Sequence, residues 1–144
     1  MKEVEQEIIN IHDFFVTWFT GVSDKTDFDK KLVPRFCKET TFITTKGASF
    51  DYDTLIMMLK RGYGMKNSSF KIAISNIEIL QKIGTYVLVT YMEWQTNDVN
   101  PEISGNYNVR KTTAIISETT PFTWLHIHET MLPKPEYIVE KWKS

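Results

Sequence analysis

Along the first 22 residues, apolar side chains recur at alternating steps of four and three: Val4, Ile8, Ile11, Phe15, Trp18 and Val22. That spacing predicts an amphipathic helix, with Ile9, Phe14 and Phe19 widening its apolar stripe and Gly21 as its stop. Thr26-Asp27-Phe28-Asp29 has the form of a capping box. It predicts a short second helix that carries Phe28 and Leu32 and ends near Pro34. Residues 40–46 (TTFITTK) are β-branched and aromatic and read as a strand closed by Gly47. Asp51 or Ser49 then caps a third helix, with Tyr52, Leu55, Ile56, Leu59 and Tyr63 on one side and Gly62 and Gly64 at its end.

From residue 70 onward the period changes to two. Segments 70–81, 85–96, 107–118 and 122–132 are long β-prone runs separated by Gly84, the loop 97–105 and the Thr119-Thr120-Pro121 turn. Short connections between long strands predict antiparallel hairpins. Helices first and a meander afterwards is an α+β pattern, expected here as one domain over 1–133 with a C-terminal tail over 134–144. Both faces of 85–96 are apolar: Val87, Val89 and Tyr91 on one, Tyr86, Leu88, Met92 and Trp94 on the other. Helices cover only one side of a sheet, so the second face is expected to meet another copy in a homodimer.

Composition narrows the partners. The chain has 144 residues, a net charge of −1 and no basic run, which argues against nucleic acid as the main partner. No apolar run approaches the length of a membrane span, and the acidic start lacks a secretory h-region, so a cytoplasmic location is expected. Cys37 is the only cysteine, which rules out an intrachain disulfide. It has no neighbouring His to activate it and reads as structural.

Several motifs in order resemble the nuclear-transport-factor-2-like superfamily. They are the opening helix ending in Trp18-Phe19-x-Gly21, the strand FITTKG before the helix DYDTLIMMLKRGYG, the hairpin YVLVTYMEW…RKTTAII and the closing strand TWLHIHET. The last two are most similar to the SnoaL-like branch that includes the association domain of calcium/calmodulin-dependent kinase, whose final strand also carries a His-x-His. The resemblance spans residues 2 to about 133. It implies a cone-shaped fold, with three N-terminal helices on a strongly curved, mainly antiparallel sheet enclosing a cavity. It also implies frequent dimers, and members as different as isomerases, dehydratases, cyclases and assembly domains. The kinase domain's Arg in the penultimate strand aligns with Thr113 here, and no Asp base of the isomerase kind has a clear counterpart.

Strand parity places Phe122, Trp124, His126, His128 and Thr130 on one face of the last strand, and Thr123, Leu125, Ile127, Glu129 and Met131 on the other. With the resemblance, the histidine face is expected to be concave and the Ile127 face to form the dimer contact. His126, His128 and Glu93 are then the candidate proton carriers. Trp18, Phe42, Met58, Tyr63, Arg110, Thr112, Trp124, His126 and His128 are the candidate ligand-binding residues, with Met57 a further candidate for the wall. Arg110 suits a carboxylate or other oxyanion. His12 lies on the buried side of the first helix, so a three-His zinc site is conceivable, but no thiol or carboxylate cluster supports it and none is expected. No cofactor is expected.

Three functions fit this reading. The first is a homodimeric domain binding a small acidic or aromatic molecule in an apolar pocket. The second is a cofactor-free isomerase, dehydratase or cyclase using a His or Glu, and the third is an assembly domain without ligand. A carboxylate–histidine pair inside a deep cavity would favour the enzyme, and a cavity closed by aromatics would favour assembly.

Overall fold

A computed structural model of the chain describes residues 2–142. Helix α1 spans Lys2–Phe19 and buries Val4, Ile8, Ile11 and Trp18, the stripe set by the four-and-three spacing. Gly21 follows at φ 76°, and the Tyr63 hydroxyl donates to the carbonyls of Gly21 and Ser23 at 3.1 and 2.6 Å. A Cβ at Gly21 would come within 3.3 Å of the Gly64 Cα, so this crossing needs glycine for space as well as for φ.

The second helical segment is a π turn over Phe28–Leu32 running into a 3₁₀ turn over Val33–Arg35. The expected capping box does not form. Asp24 instead accepts from the Thr26 N–H and hydroxyl at 2.9 and 3.0 Å, which occupies the Thr26 side chain before the helix begins. Helix α2, Tyr52–Arg61, is capped by Asp51, whose carboxylate accepts from the Thr54 N–H at 2.9 Å.

Six strands form one open mixed sheet: β1 Thr41–Ile43, β2 Ser49–Phe50, β3 Lys71–Ile83, β4 Tyr86–Thr96, β5 Tyr107–Ser117 and β6 Trp124–Leu132. Their spatial order is β2-β1-β6-β5-β4-β3, with β1 parallel to β6 and every other pair antiparallel. Register shifts in β3 and β6 mark bulges, which bend strands and increase their twist. The main core lies between the inner sheet face and the helices. It joins Val4, Ile8, Ile11 and Leu32 to Val87, Val89, Ala114 and Ile116.

The outer face of β4 is apolar for a reason the strand pattern did not reveal. Its Trp94, with Ala73 and Val109, packs under Val139 and Trp142 of the chain's own C-terminal segment. The Trp142 ring meets Trp94 at 5.9 Å and Tyr107 at 5.3 Å, and Trp94 is fully buried. A second subunit is therefore not what covers this end of the sheet. No described helix is long and apolar enough to cross a membrane.

Candidate functional site

The inner sheet face, α1 and α2 surround a cavity of about 350 Å³. Most of its wall is apolar, including Phe15, Phe19, Phe42, Phe50, Leu55 and Ile72. Met58, half exposed on α2, stands at its rim. Alternation along β4 sends Tyr91, Glu93 and Gln95 into the cavity, and directly across in β5 Arg110 faces Glu93. Glu129 of β6 lies diagonally beyond Arg110, so an acid, a base and an acid lie in a row over three neighbouring strands.

His12 reaches this row from α1. Its Nε2 lies 3.0 Å from Glu93 Oε1, and its Nδ1 lies 2.7 Å from the Ile8 carbonyl, which only accepts, so Nδ1 carries a proton. Gln95 Nε2 donates to the other Glu93 oxygen. Burial opposes charge on His12, but the charge of Glu93, the hydrogen bond to it and the Ile8 carbonyl together hold its pKa above the ordinary imidazole value. Burial likewise works against ionising Glu93. His12, Arg110 and Gln95 outweigh it and keep Glu93 below its usual carboxylate value.

Glu129 has the opposite balance. Burial, and then the charge of Glu93, push its pKa up to about 7, against the pull of Arg110. Its one hydrogen bond to the guanidinium is Arg110 Nη1 to Oε1 at 3.2 Å. Arg110 Nη2 donates to Asn108 Oδ1 at 3.0 Å, and the buried Nε has no partner among the described residues. Burial, with Glu93 and Glu129 nearby, raises the Tyr91 hydroxyl well above its ordinary pKa, so Tyr91 is a neutral donor at physiological pH.

Of the residues singled out from the sequence, Phe42, Met58, Glu93, Arg110 and Trp124 border the cavity. Trp18 and Tyr63 do not. Their rings pack 4.4 Å apart in the core, and Trp18 Nε1 donates to the Leu59 carbonyl at 2.8 Å. Thr112 is fully buried in the sheet between its cross-strand partners Tyr91 and Glu129. Met57 faces solvent, and Cys37 is half-buried beside Thr40.

His126 and His128 lie on the outer face, contrary to the parity expectation. Ile127 and Glu129, which alternate with them, line the cavity, and Ile127 pairs with the cavity residue Phe42. The cause is a bulge at Leu125: Ile116 pairs with Trp124 but Ile115 with His126, so two residues of β6 oppose one step of β5. The extra residue breaks the alternation, and Trp124 points inward while the histidines beyond the bulge do not. His126 instead approaches Thr41 Oγ1 through Nδ1 at 2.5 Å. His12, on the other side of the sheet, does not converge with these two, so the three-His arrangement does not assemble. Glu129, which strand parity placed on the Ile127 face without a role, is the acid that reading missed.

No family model matches the chain, and no curated protein does. Solved structures do. An NTF-2 like protein of unknown function from Pseudomonas aeruginosa superposes with a TM-score of 0.79 at 20% identity, over 91% of this chain and 99% of the other. A scytalone dehydratase-like protein from Novosphingobium aromaticivorans gives 0.66 at 11% identity, over 97% and 89%. The association domain of C. elegans CaMKII gives 0.55 at 14% identity, over 90% and 96%. The chain has the NTF2-like α+β cone fold. A fold shared by proteins this different does not itself assign an activity.

Proposed function

We propose that the cavity is the active site of a cofactor-free enzyme that transfers a proton on a small, largely apolar substrate, as an isomerase, dehydratase or cyclase does. The observation that carries this reading is the row Glu93–Arg110–Glu129 in an otherwise apolar cavity, with His12 closing on Glu93 at 3.0 Å. A wall meant only to hold an apolar molecule has no use for four ionisable groups, of which His12 and Glu93 are buried and Arg110 and Glu129 partly so, since each costs free energy to desolvate. The groups also divide into two roles. Glu93 and His12 share a proton in a pair whose hydrogen bonds are already taken, which makes them a fixed electrostatic element. Glu129, with a pKa of about 7, gives and takes a proton readily near neutrality. Arg110 and the Tyr91 hydroxyl are positioned to stabilise negative charge developing on a substrate oxygen.

The reading is tested by deuterium incorporation into, or elimination from, small cyclic ketones and β-hydroxy ketones, followed by NMR in D₂O. Wild-type protein is expected to accelerate the reaction of at least one probe, and Glu129→Gln to slow it by about a hundredfold or more. Equal rates for wild type, Glu129→Gln and buffer would leave a binding module as the better description, a reading supported by the apolar majority of the wall.

The protein is further proposed to work as a homodimer. Leu88 and Ile115, cross-strand partners on the outer face, are only partly buried beside the region that the C-terminal segment covers. The likeness to a kinase association domain supports a sheet that also assembles. An assembly role without chemistry is disfavoured by the cavity, which the aromatics line without filling.

A further inference from the structure

We infer that the cavity takes its ligand as a monoanion whose oxyanion replaces Glu129 on Arg110, while Glu129 leaves the pair as a neutral carboxyl after taking one proton from solvent. This deepens the reading of the cavity as a substrate site and rests on it.

The geometry of Arg110 carries the inference. Its half-buried guanidinium stands on the cavity wall with its donors only partly used. Nη1 reaches a single oxygen of Glu129 at 3.2 Å, longer than a good charge-assisted hydrogen bond, and Nε has no partner among the described residues. Nη2 is held by the neutral Asn108. A planar fork with a free N–H and one loose carboxylate contact suits bidentate capture of a second oxyanion.

The two acids are not equivalent. Glu93 is held in its charged form by His12 and Gln95 and by the cross-strand charge of Arg110. Among the described residues, Glu129 has Arg110 as its one hydrogen-bond partner. The groups facing it are Glu93 and the neutral Tyr91 from β4, Arg110 from β5 and His12 from α1. Helix α2 contributes only Leu55, Met58 and Leu59 to the cavity wall. When an anion competes for Arg110, the carboxyl that yields is the one with the fewest partners and a like charge beside it. Its pKa near 7 keeps the cost of protonation small.

Charge balance sets the valence. With His12 and Arg110 positive, Glu93 negative and Glu129 neutral, the wall carries one net positive charge, which one anionic group cancels. A dianion would bring an uncompensated charge into a dry site. The remaining wall is ringed by Phe15, Phe19, Phe42 and Phe50, and the volume lies at the small end of ligand pockets. The class is therefore a compact aromatic or alicyclic carboxylate, or an acid of the same shape.

The test is isothermal titration calorimetry of the full chain with benzoate and cyclohexanecarboxylate, against benzamide and benzyl alcohol. Each is run at about pH 8 in two buffers of different ionisation enthalpy, so that proton uptake is counted. A carboxylate is expected to bind at least about tenfold more tightly than its neutral counterpart, with uptake of about one proton. Glu129→Gln should keep carboxylate binding but lose the uptake. Arg110→Gln should lose the preference for the anion, with near-UV circular dichroism reporting its fold. Equal affinity for benzamide, carboxylate binding without proton uptake, uptake retained in Glu129→Gln, or no saturable binding by either carboxylate would overturn the inference. Turnover of neutral ketones without carboxylate binding would sink this inference and spare the enzyme reading. Carboxylate binding with proton uptake but no exchange chemistry would do the reverse.

Discussion

His12 and Glu93, 81 positions apart in the chain, meet at 3.0 Å inside the cavity, and each holds the other in its charged form against the cost of burial. Neither is stable alone in that environment. His12→Leu should therefore destabilise the fold by about 3–5 kcal/mol, because it leaves Glu93 buried without its partner. The double variant His12→Leu with Glu93→Leu should cost much less than the two single changes together. Urea denaturation of the four proteins gives the coupling energy, and additive effects would mean that the pair is not coupled.

Stability should fall as pH rises from about 5 to about 8, and Glu129 should be a main reason. Its folded-state pKa of about 7 lies above the ordinary carboxylate value of 4.5, so between these values the folded state binds more protons than the unfolded one. The carboxyl is accommodated at no charge cost below that window, and its charged form disfavours the fold above it. His12 acts in the same direction. Its raised pKa contributes stability that is present below its unfolded value of 6.5 and is lost as pH rises through the folded value. Glu93 acts only at the acid end, where the stability tied to its lowered pKa is lost as pH falls. Glu129→Gln should flatten the decline in denaturation midpoint between about pH 5 and about pH 8, and an unchanged slope would contradict the assignment.

The bulge at Leu125 makes opposite predictions for neighbouring residues. Ile127→Trp should fill the cavity and abolish uptake of a small apolar probe such as benzene, followed by NMR line broadening. His126→Ala, on the outer face, should leave that uptake unchanged. The reverse result would mean that the strand does not change parity at the bulge.

The outer face separates into two parts that mutation should distinguish. Trp142→Ala removes a buried ring from the cluster around Trp94 and should cost about 3–5 kcal/mol of stability. Leu88→Asp should leave the monomer folded. In sedimentation equilibrium it should reduce the expected dimer, about twice the 16.9 kDa chain mass, to monomer. Wild-type protein that sediments as a monomer would remove the dimer.

Much of the architecture could be read along the chain because it is local. The four-and-three spacing of Val4 to Trp18 commits α1 to one buried face, Asp51 caps α2, and the period of two from residue 70 commits the meander. Glu93 and Arg110 were legible as candidates for the same reason, since alternation within an unbroken strand fixes which residues share a face. What lay outside the sequence was whatever depends on a partner strand or a distant segment. The bulge at Leu125 is a mismatch between β5 and β6, invisible in either strand alone, and it moves His126 and His128 out of the cavity and Glu129 in. Trp94 is apolar on the outer face because Trp142, 48 positions later by residue number, packs over it. The proton affinity of Glu129 has the same origin. It arises from burial and from charges on β4, β5 and α1 that only the folded chain brings within reach, so the tertiary structure alone decides which acid in this protein is mobile at neutral pH.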